Sequence, residues 1–243
     1  MSKIGIILAM HEEFEEVVKI MTEKTKKSIK NVLFIEGKIE NTDCVIVESG
    51  VGKVNAARIT QMMIDKFDIE YIINLGSAGA LNPKLQIGDI VIGEKLVQHD
   101  FDITAFGHKK GYITGVGEML YSNIDLLNYF KETIEKMSKE TYKIKIGTIA
   151  SGDIFCTDPY MKNKIFTKFN ADCVEMEGAA IAQVSYLNSI PFIVVRSISD
   201  SPNGKNAITY DKFLELASKR CAKILKEFFK IRNSILNKEE ERI

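Results

Sequence analysis

Three carboxylates in this chain follow apolar runs of the kind that build β-strands: Glu13 after Ile4–Met10, Glu177 after Cys173–Met176 and Asp200 after Phe192–Ile198. Acids at such positions can divide general-acid and general-base work once their surroundings set their protonation apart. Ligands of open α/β sheets bind beyond the carboxyl ends of the strands, so the residues after each run sample one candidate site. Other runs bring small and aromatic residues to the same end. Leu75-Gly76-Ser77-Ala78-Gly79 follows Tyr71–Asn74, and Ser151-Gly152-Asp153-Ile154-Phe155 follows the run ending near Ala150. Each acid also has an ordinary explanation. Glu13 and Glu177 fall in first helical turns, where negative charge offsets the helix dipole. Asp200 precedes the turn-forming Ser201-Pro-Asn-Gly204. Strand alternation points Glu175 away from Met176, where a buried pair would hold it.

The glycine-rich pieces do not make a nucleotide-cofactor site. Ser49-Gly50-Val51-Gly52-Lys53 lacks the upstream glycine of a phosphate loop and carries Val54 where Ser or Thr would meet magnesium. It also lacks the third glycine of a dinucleotide fingerprint. This stretch and Gly76-Ser77-Ala78-Gly79 read instead as tight turns that let backbone approach a ligand, with Ser77 free to donate a hydrogen bond. His11, His99 and His108 share no metal-ligand spacing, and His11-Glu-Glu-Phe-Glu15 ends in Glu where a zincin needs His. No metal and no cofactor is expected.

The bulk properties narrow the class further. Cys44, Cys156, Cys173 and Cys221 form no C-x-x-C pair and read as reduced thiols of a cytoplasmic protein. Lys plus Arg and Asp plus Glu balance at 33 each, which argues against a nucleic-acid footprint. No apolar run is long enough to cross a bilayer, and the first strand is followed by His11-Glu-Glu13 without a signal-peptide cleavage site.

The elements that must position these residues alternate along the chain. Strands are expected at Ile4–Met10, Cys44–Val47, Tyr71–Asn74, Asp89–Ile92, Ile144–Ala150, Cys173–Met176 and Phe192–Ile198. Helices are expected at Glu12–Lys24, Val54–Phe67, Ser122–Lys136, Pro159–Lys168, Gly178–Tyr186 and Tyr210–Phe229. Such alternation predicts an α/β fold with a largely parallel sheet covered by helices on both faces. One domain over residues 1–235 is the simplest organisation, with 236–243 as a charged C-terminal tail.

The combined strings resemble a known family. Ala9-Met10-His-Glu-Glu13, Ser49-Gly-Val-Gly-Lys53, Asn74-Leu-Gly-Ser-Ala-Gly79, Thr104-Ala-Phe-Gly107, Ser151-Gly-Asp153, Val174-Glu-Met-Glu177 and Val195-Arg-Ser-Ile-Ser-Asp200 look like those of bacterial 5′-methylthioadenosine/S-adenosylhomocysteine nucleosidases. The resemblance implies a nucleoside phosphorylase-like fold, a mixed and partly barrel-like sheet flanked by helices, assembled as a homodimer. It implies hydrolysis of the N-glycosidic bond of adenine nucleosides, in methionine salvage. By position it makes Asp200 the general acid at purine N7 and Glu13 the group that activates water. Glu177 would hold the ribose hydroxyls, with Met176 against the sugar. Phe155 would stack on adenine while the Cys156 backbone reads its edge. Ser77, Ala78, Gly79, Glu175, Arg196 and Ser199 fall in or beside the site, and Met10, Val51, Ile103, Phe106 and Tyr210 line the sugar and 5′-substituent region. Ile103 and Phe106 would reach it across the dimer interface. Leu8, His11 and Cys156 depart from the family's usual residues. A phosphorylase would instead need cations for phosphate, with Lys53 and Arg58 the candidates. A silent adenosine-binding protein is the alternative of another class.

Overall fold

The computed structural model describes residues 2–137, 142–200 and 210–240, the side chains of 210–212 and 236–240 excepted. A ten-stranded sheet runs through the molecule. Its middle is made of Ile- and Val-rich segments buried on both faces, β1 (Lys3–Leu8) among them, as strands covered by helices on each side must be. β1 lies parallel to both β4 (Thr42–Glu48) and β5 (Ile69–Ala80). β5 then pairs in parallel with β10 (Phe192–Asp200), and β10 runs antiparallel to β6 (Ile90–Gln98). Parallel pairing continues from β6 to β8 (Ile144–Ser151) and from β8 to β9 (Cys173–Glu175). β9 returns antiparallel to β5, closing five strands into a small barrel. A short strand, β7 (Leu120–Tyr121), lies against β6. The sheet is therefore mixed, not largely parallel as the alternation suggested.

The strands of one hairpin were not among those expected from the sequence. β2 (Thr22–Ile29) and β3 (Val32–Ile39) form an antiparallel hairpin that extends the sheet beyond β4. β2 is exposed along nearly its whole length and reads TEKTKKSI, so it shows no apolar alternation. Its strand form comes from pairing with β3, and its lysines blunt the sheet edge. The helix expected over Glu12–Lys24 is accordingly shorter: α1 spans His11–Lys19, and the chain from Thr22 joins the hairpin.

Helices cover both faces. α1, α3 (Ile124–Met137) and α6 (Tyr210–Glu240) pack one side, where Phe14, Phe130, Phe228 and Phe229 meet the strands. α2 (Lys53–Lys66) and α5 (Gly178–Leu187) pack the other through Ala56, Ile59, Met63 and Ala179 to Ala182. α4 (Pro159–Phe169) seals a smaller apolar cluster beside the barrel with Ile165 and Phe169. The tail expected over 236–243 is helical as far as Glu240, continuous with α6.

Candidate active site

Glu13, Glu177 and Asp200 converge on one cavity of about 350 Å³ at the mouth of the barrel. Glu13 sits in the first turn of α1, and its carboxylate turns back to accept from the N–H groups of Met10 at 3.2 Å and Ala9 at 3.3 Å. The Ser77 N–H donates to its other oxygen at 2.9 Å. The side chain is nearly sealed from solvent. Burial pushes the Glu13 carboxyl above the ordinary carboxylate range, against the pull of those N–H groups and of Arg196. A carboxyl poised in this way can take a proton from a water it holds.

Gly76 and Gly79 have a different job from the turn expected of them. Both lie inside β5. A Cβ on Gly76 would stand 2.9 Å from a Glu13 oxygen, and one on Gly79 would stand 2.7 Å from an Asp200 oxygen. The two glycines are cut-outs in a strand wall through which the acids reach the cavity. Gly50 and Gly52 do form the expected turn, with φ of 78° and 99°. That turn aims the Gly52 N–H at Glu177, which accepts it at 2.7 Å.

Glu177 caps the N-terminus of α5 and is buried. Burial, reinforced by the neighbouring Glu175 carboxylate, pushes it up to about 8. Asp200 ends β10 in register with Gly79, with its side chain 26% exposed toward the cavity. Lys162 Nζ of α4 donates to it at 2.5 Å. Sequence reasoning missed Lys162. Its one signal is that it lies three, four and seven residues before Ile165, Phe166 and Phe169, on the buried stripe of α4.

Glu175 and Arg196 lie in the cavity wall, but their charges face each other. Arg196 Nη2 donates to Glu175 at 2.5 Å and to Asn74 Oδ1 at 2.5 Å. Glu175 also accepts from the Gly178 N–H at 2.7 Å, the Glu177 N–H at 3.1 Å and the Ser151 hydroxyl. Its Oε2 takes three of these donors and its Oε1 the Ser151 hydroxyl, so most of the carboxylate's accepting capacity is spent within the protein. Both line the cavity, in or beside the site as expected, and their pairing braces the wall, as the alternation of Glu175 with Met176 suggested.

The remaining wall is largely apolar. Met10, Ala78, Met176, Cys156 and the buried Ser199 line it, and Val51 and Phe155 stand at the exposed lip. Ile103 and Phe106 do not line the cavity of their own chain, and Phe106 is 80% exposed. Tyr210 opens α6, but its side chain and residues 201–204 lie outside the described residues. Lys53 is engaged by Asp100 at 2.6 Å and Gln98 at 3.1 Å, while Arg58 lies on the exposed face near the Lys30 carbonyl. Neither lines the cavity. A pocket of this size, apolar with a few convergent acids, suits a nucleoside-sized ligand.

Comparison with known proteins agrees with this geometry. Residues 3–230 match the family model described as the phosphorylase superfamily. The chain is 41% identical over 229 residues to a 5′-methylthioadenosine/S-adenosylhomocysteine nucleosidase of Staphylococcus haemolyticus, covering 94% of this chain and 99% of the relative. It is similar to the solved structure of such a nucleosidase from Neisseria meningitidis in complex with methylthio-immucillin-A. There the TM-score is 0.90 at 34% identity, covering 95% of this chain and 99% of that one. Futalosine hydrolase of Helicobacter pylori is also similar, with a TM-score of 0.89 at 32% identity over 94% and 97% of the two chains. Matched over nearly its whole length, the chain belongs to the phosphorylase superfamily and, within it, to the 5′-methylthioadenosine/S-adenosylhomocysteine nucleosidases.

Proposed function

We propose that this chain hydrolyses the N-glycosidic bond of 5′-methylthioadenosine and S-adenosylhomocysteine, releasing adenine and the thioribose product. The observation that carries the reading is the arrangement of three acids in different surroundings around one apolar cavity. Adenine leaves poorly as an anion, so Asp200 supplies a proton to N7 as the bond to C1′ breaks. The sugar then carries oxocarbenium character, and Glu13 aligns a water on the opposite side and takes its proton, in the manner of inverting glycosidases. Glu177 accepts from the ribose hydroxyls and keeps the sugar fixed between the two. Phe155 and the Cys156 backbone hold the purine, while Met10, Val51 and Met176 pack against sugar and 5′-substituent.

Phosphorolysis is disfavoured by the engagement of Lys53 and Arg58 outside the cavity and by the Glu175 pairing of Arg196. The exposed Phe106 and half-buried Ile103 support assembly as a homodimer in which each chain completes the other's 5′-pocket. No helix among the described residues is long and apolar enough to cross a membrane, in keeping with a cytoplasmic enzyme. Adenine release from methylthioadenosine, followed with and without phosphate, tests the reading. Phosphate-independent release is expected, and a strict phosphate requirement would overturn hydrolysis. Competition across nucleosides differing at the 5′-position, aminofutalosine included, ranks the substrates.

A further inference from the structure

Lys162 has no part in the reaction as derived above, yet it is the one lysine among the described residues that is buried, with a side chain 2% exposed. Its place is fixed by the start of α4. Asp158 caps the helix by accepting from the Tyr160 N–H at 3.2 Å and the Met161 N–H at 3.1 Å, and Pro159 occupies the first helical position. The Lys162 N–H closes the first turn on the Asp158 carbonyl at 3.0 Å. From there the buried side chain reaches Asp200.

This ion pair is unlike the one in the cavity wall. Glu175 and Arg196 bury both charges, at 3% and 2% exposure. In the Lys162–Asp200 pair the cation is sealed and the carboxylate faces the cavity, at 2% and 26%. A pair serving only the fold gains nothing from leaving one member open to a ligand site. The open member is also the acid assigned to the leaving group.

We propose that Lys162 is a positioning residue of that acid, holding one acidic proton jointly with Asp200 inside the cavity, and that this proton reaches the purine. The inference rests on the hydrolytic reading above. As the C1′–N9 bond breaks, its electron pair passes into the purine. The Nζ–H bond of Lys162 breaks, Asp200 carries the proton across, and an N7–H bond forms. Lys162 is left as a neutral amine and Asp200 as the carboxylate it was. Water adds to C1′ and surrenders its proton to Glu13. After product release Glu13 loses that proton to solvent and Lys162 regains one, so the cycle closes without net change. The gain is that the proton needed at N7 is already in the site and need not be drawn from bulk water.

The test uses Lys162→Met and Lys162→Arg in the full chain, on two substrates. One is methylthioadenosine. The other is the 4-nitrophenyl β-glycoside of 5-methylthioribose, whose phenolate departs without a proton. Arginine keeps a cation beside Asp200 but does not give up its proton. Both variants are expected to lose about 10- to 10³-fold in kcat on methylthioadenosine while staying within about threefold of wild type on the nitrophenyl glycoside. Activity on the second substrate also reports that the site is folded. Equal losses on both substrates would make Lys162 a structural ion-pair partner and overturn the proposal. Full turnover of methylthioadenosine by either variant would overturn it too, since charge alone, or no charge, would then suffice. Failure of the hydrolytic reading is distinct: the wild-type chain would release no adenine.

Discussion

Glu13 and Asp200 face one cavity from different environments, and that difference would let two carboxyls do the opposite jobs proposed for them. Glu13 is held by three backbone N–H groups in a nearly sealed pocket, whereas Asp200 stands at the cavity edge against a lysine. Asp200→Asn keeps the shape but cannot pass a proton to N7, and kcat on methylthioadenosine should fall by roughly 10²–10⁴-fold. Glu13→Gln should fall comparably, and on the nitrophenyl glycoside it should fall while Asp200→Asn does not. Steady-state kinetics on both substrates, with circular dichroism to check folding, separates leaving-group from water activation. Glu177 makes a pH prediction. It holds its proton up to about 8 in the free protein, while hydrogen bonds from ribose hydroxyls favour the carboxylate. Binding of an inert nucleoside analogue near neutral pH should therefore release a proton, and affinity should weaken as pH falls below 8, by at most about tenfold per pH unit. Titration calorimetry in buffers of different protonation enthalpy measures this release, and Glu177→Gln should abolish it.

Strands and helix ends turn these residues into a site. β9 and β10 are not neighbours in the barrel, and the Glu175–Arg196 pair ties them together, with Asn74 of β5 as a further anchor. Glu175 is also the acceptor for the first N–H groups of α5, so the same carboxylate sets the helix start from which Glu177 projects. Replacing Glu175 by Leu leaves the Arg196 charge buried without its partner, and breaking such a pair costs about 3–5 kcal/mol. Urea denaturation should show that loss. Of the acids discussed, Glu175 should be the one whose removal is felt most in stability, because Glu13 and Glu177 are themselves buried at a cost. The Gly50–Gly52 turn plays the matching part on the opposite wall, since its φ values let the Gly52 N–H reach Glu177.

For the whole molecule, the lip of the cavity is the incomplete part. Val51 is 49% exposed and Phe155 62%, an apolar rim to the cavity, and Phe106, which does not line the cavity of its own chain, is 80% exposed. A second copy placing Phe106 over the rim would cover it and finish the 5′-pocket. Loss of that ring in Phe106→Ala should cost about 1.5–3 kcal/mol of apolar contact, or about 10- to 150-fold in kcat/KM. The loss should be larger on methylthioadenosine than on adenosine, whose 5′-hydroxyl buries little apolar surface. Assays on both nucleosides with sedimentation of the same samples test it. Equal losses in an intact dimer would remove Phe106 from the pocket, and a fully active monomer would remove the shared site.

Much of this was legible in the residues alone. Apolar runs and helical periodicity are local properties, and they located the strands that lead to Glu13, Glu177 and Asp200 and four of the helices closely. The order of Met-x-Glu-Glu, Val-Glu-Met-Glu and Arg-x-Ile-Ser-Asp was enough to indicate the family. Other features depended on partners far along the chain. β2 is a strand because β3 offers it a ladder, and its own lysines and threonines carry no such preference. Gly76 and Gly79 look like turn residues until β5 is threaded between two acids, where the missing Cβ atoms matter for space and not for φ. Lys162 looks like any helix-surface lysine until closure of β5, β10, β6, β8 and β9 brings Asp200, 38 residues away, against the buried face of α4. Side-chain type and spacing fix what a residue can do; which charge it meets depends on how the barrel closes, and that is a property of the packed sheet as a whole.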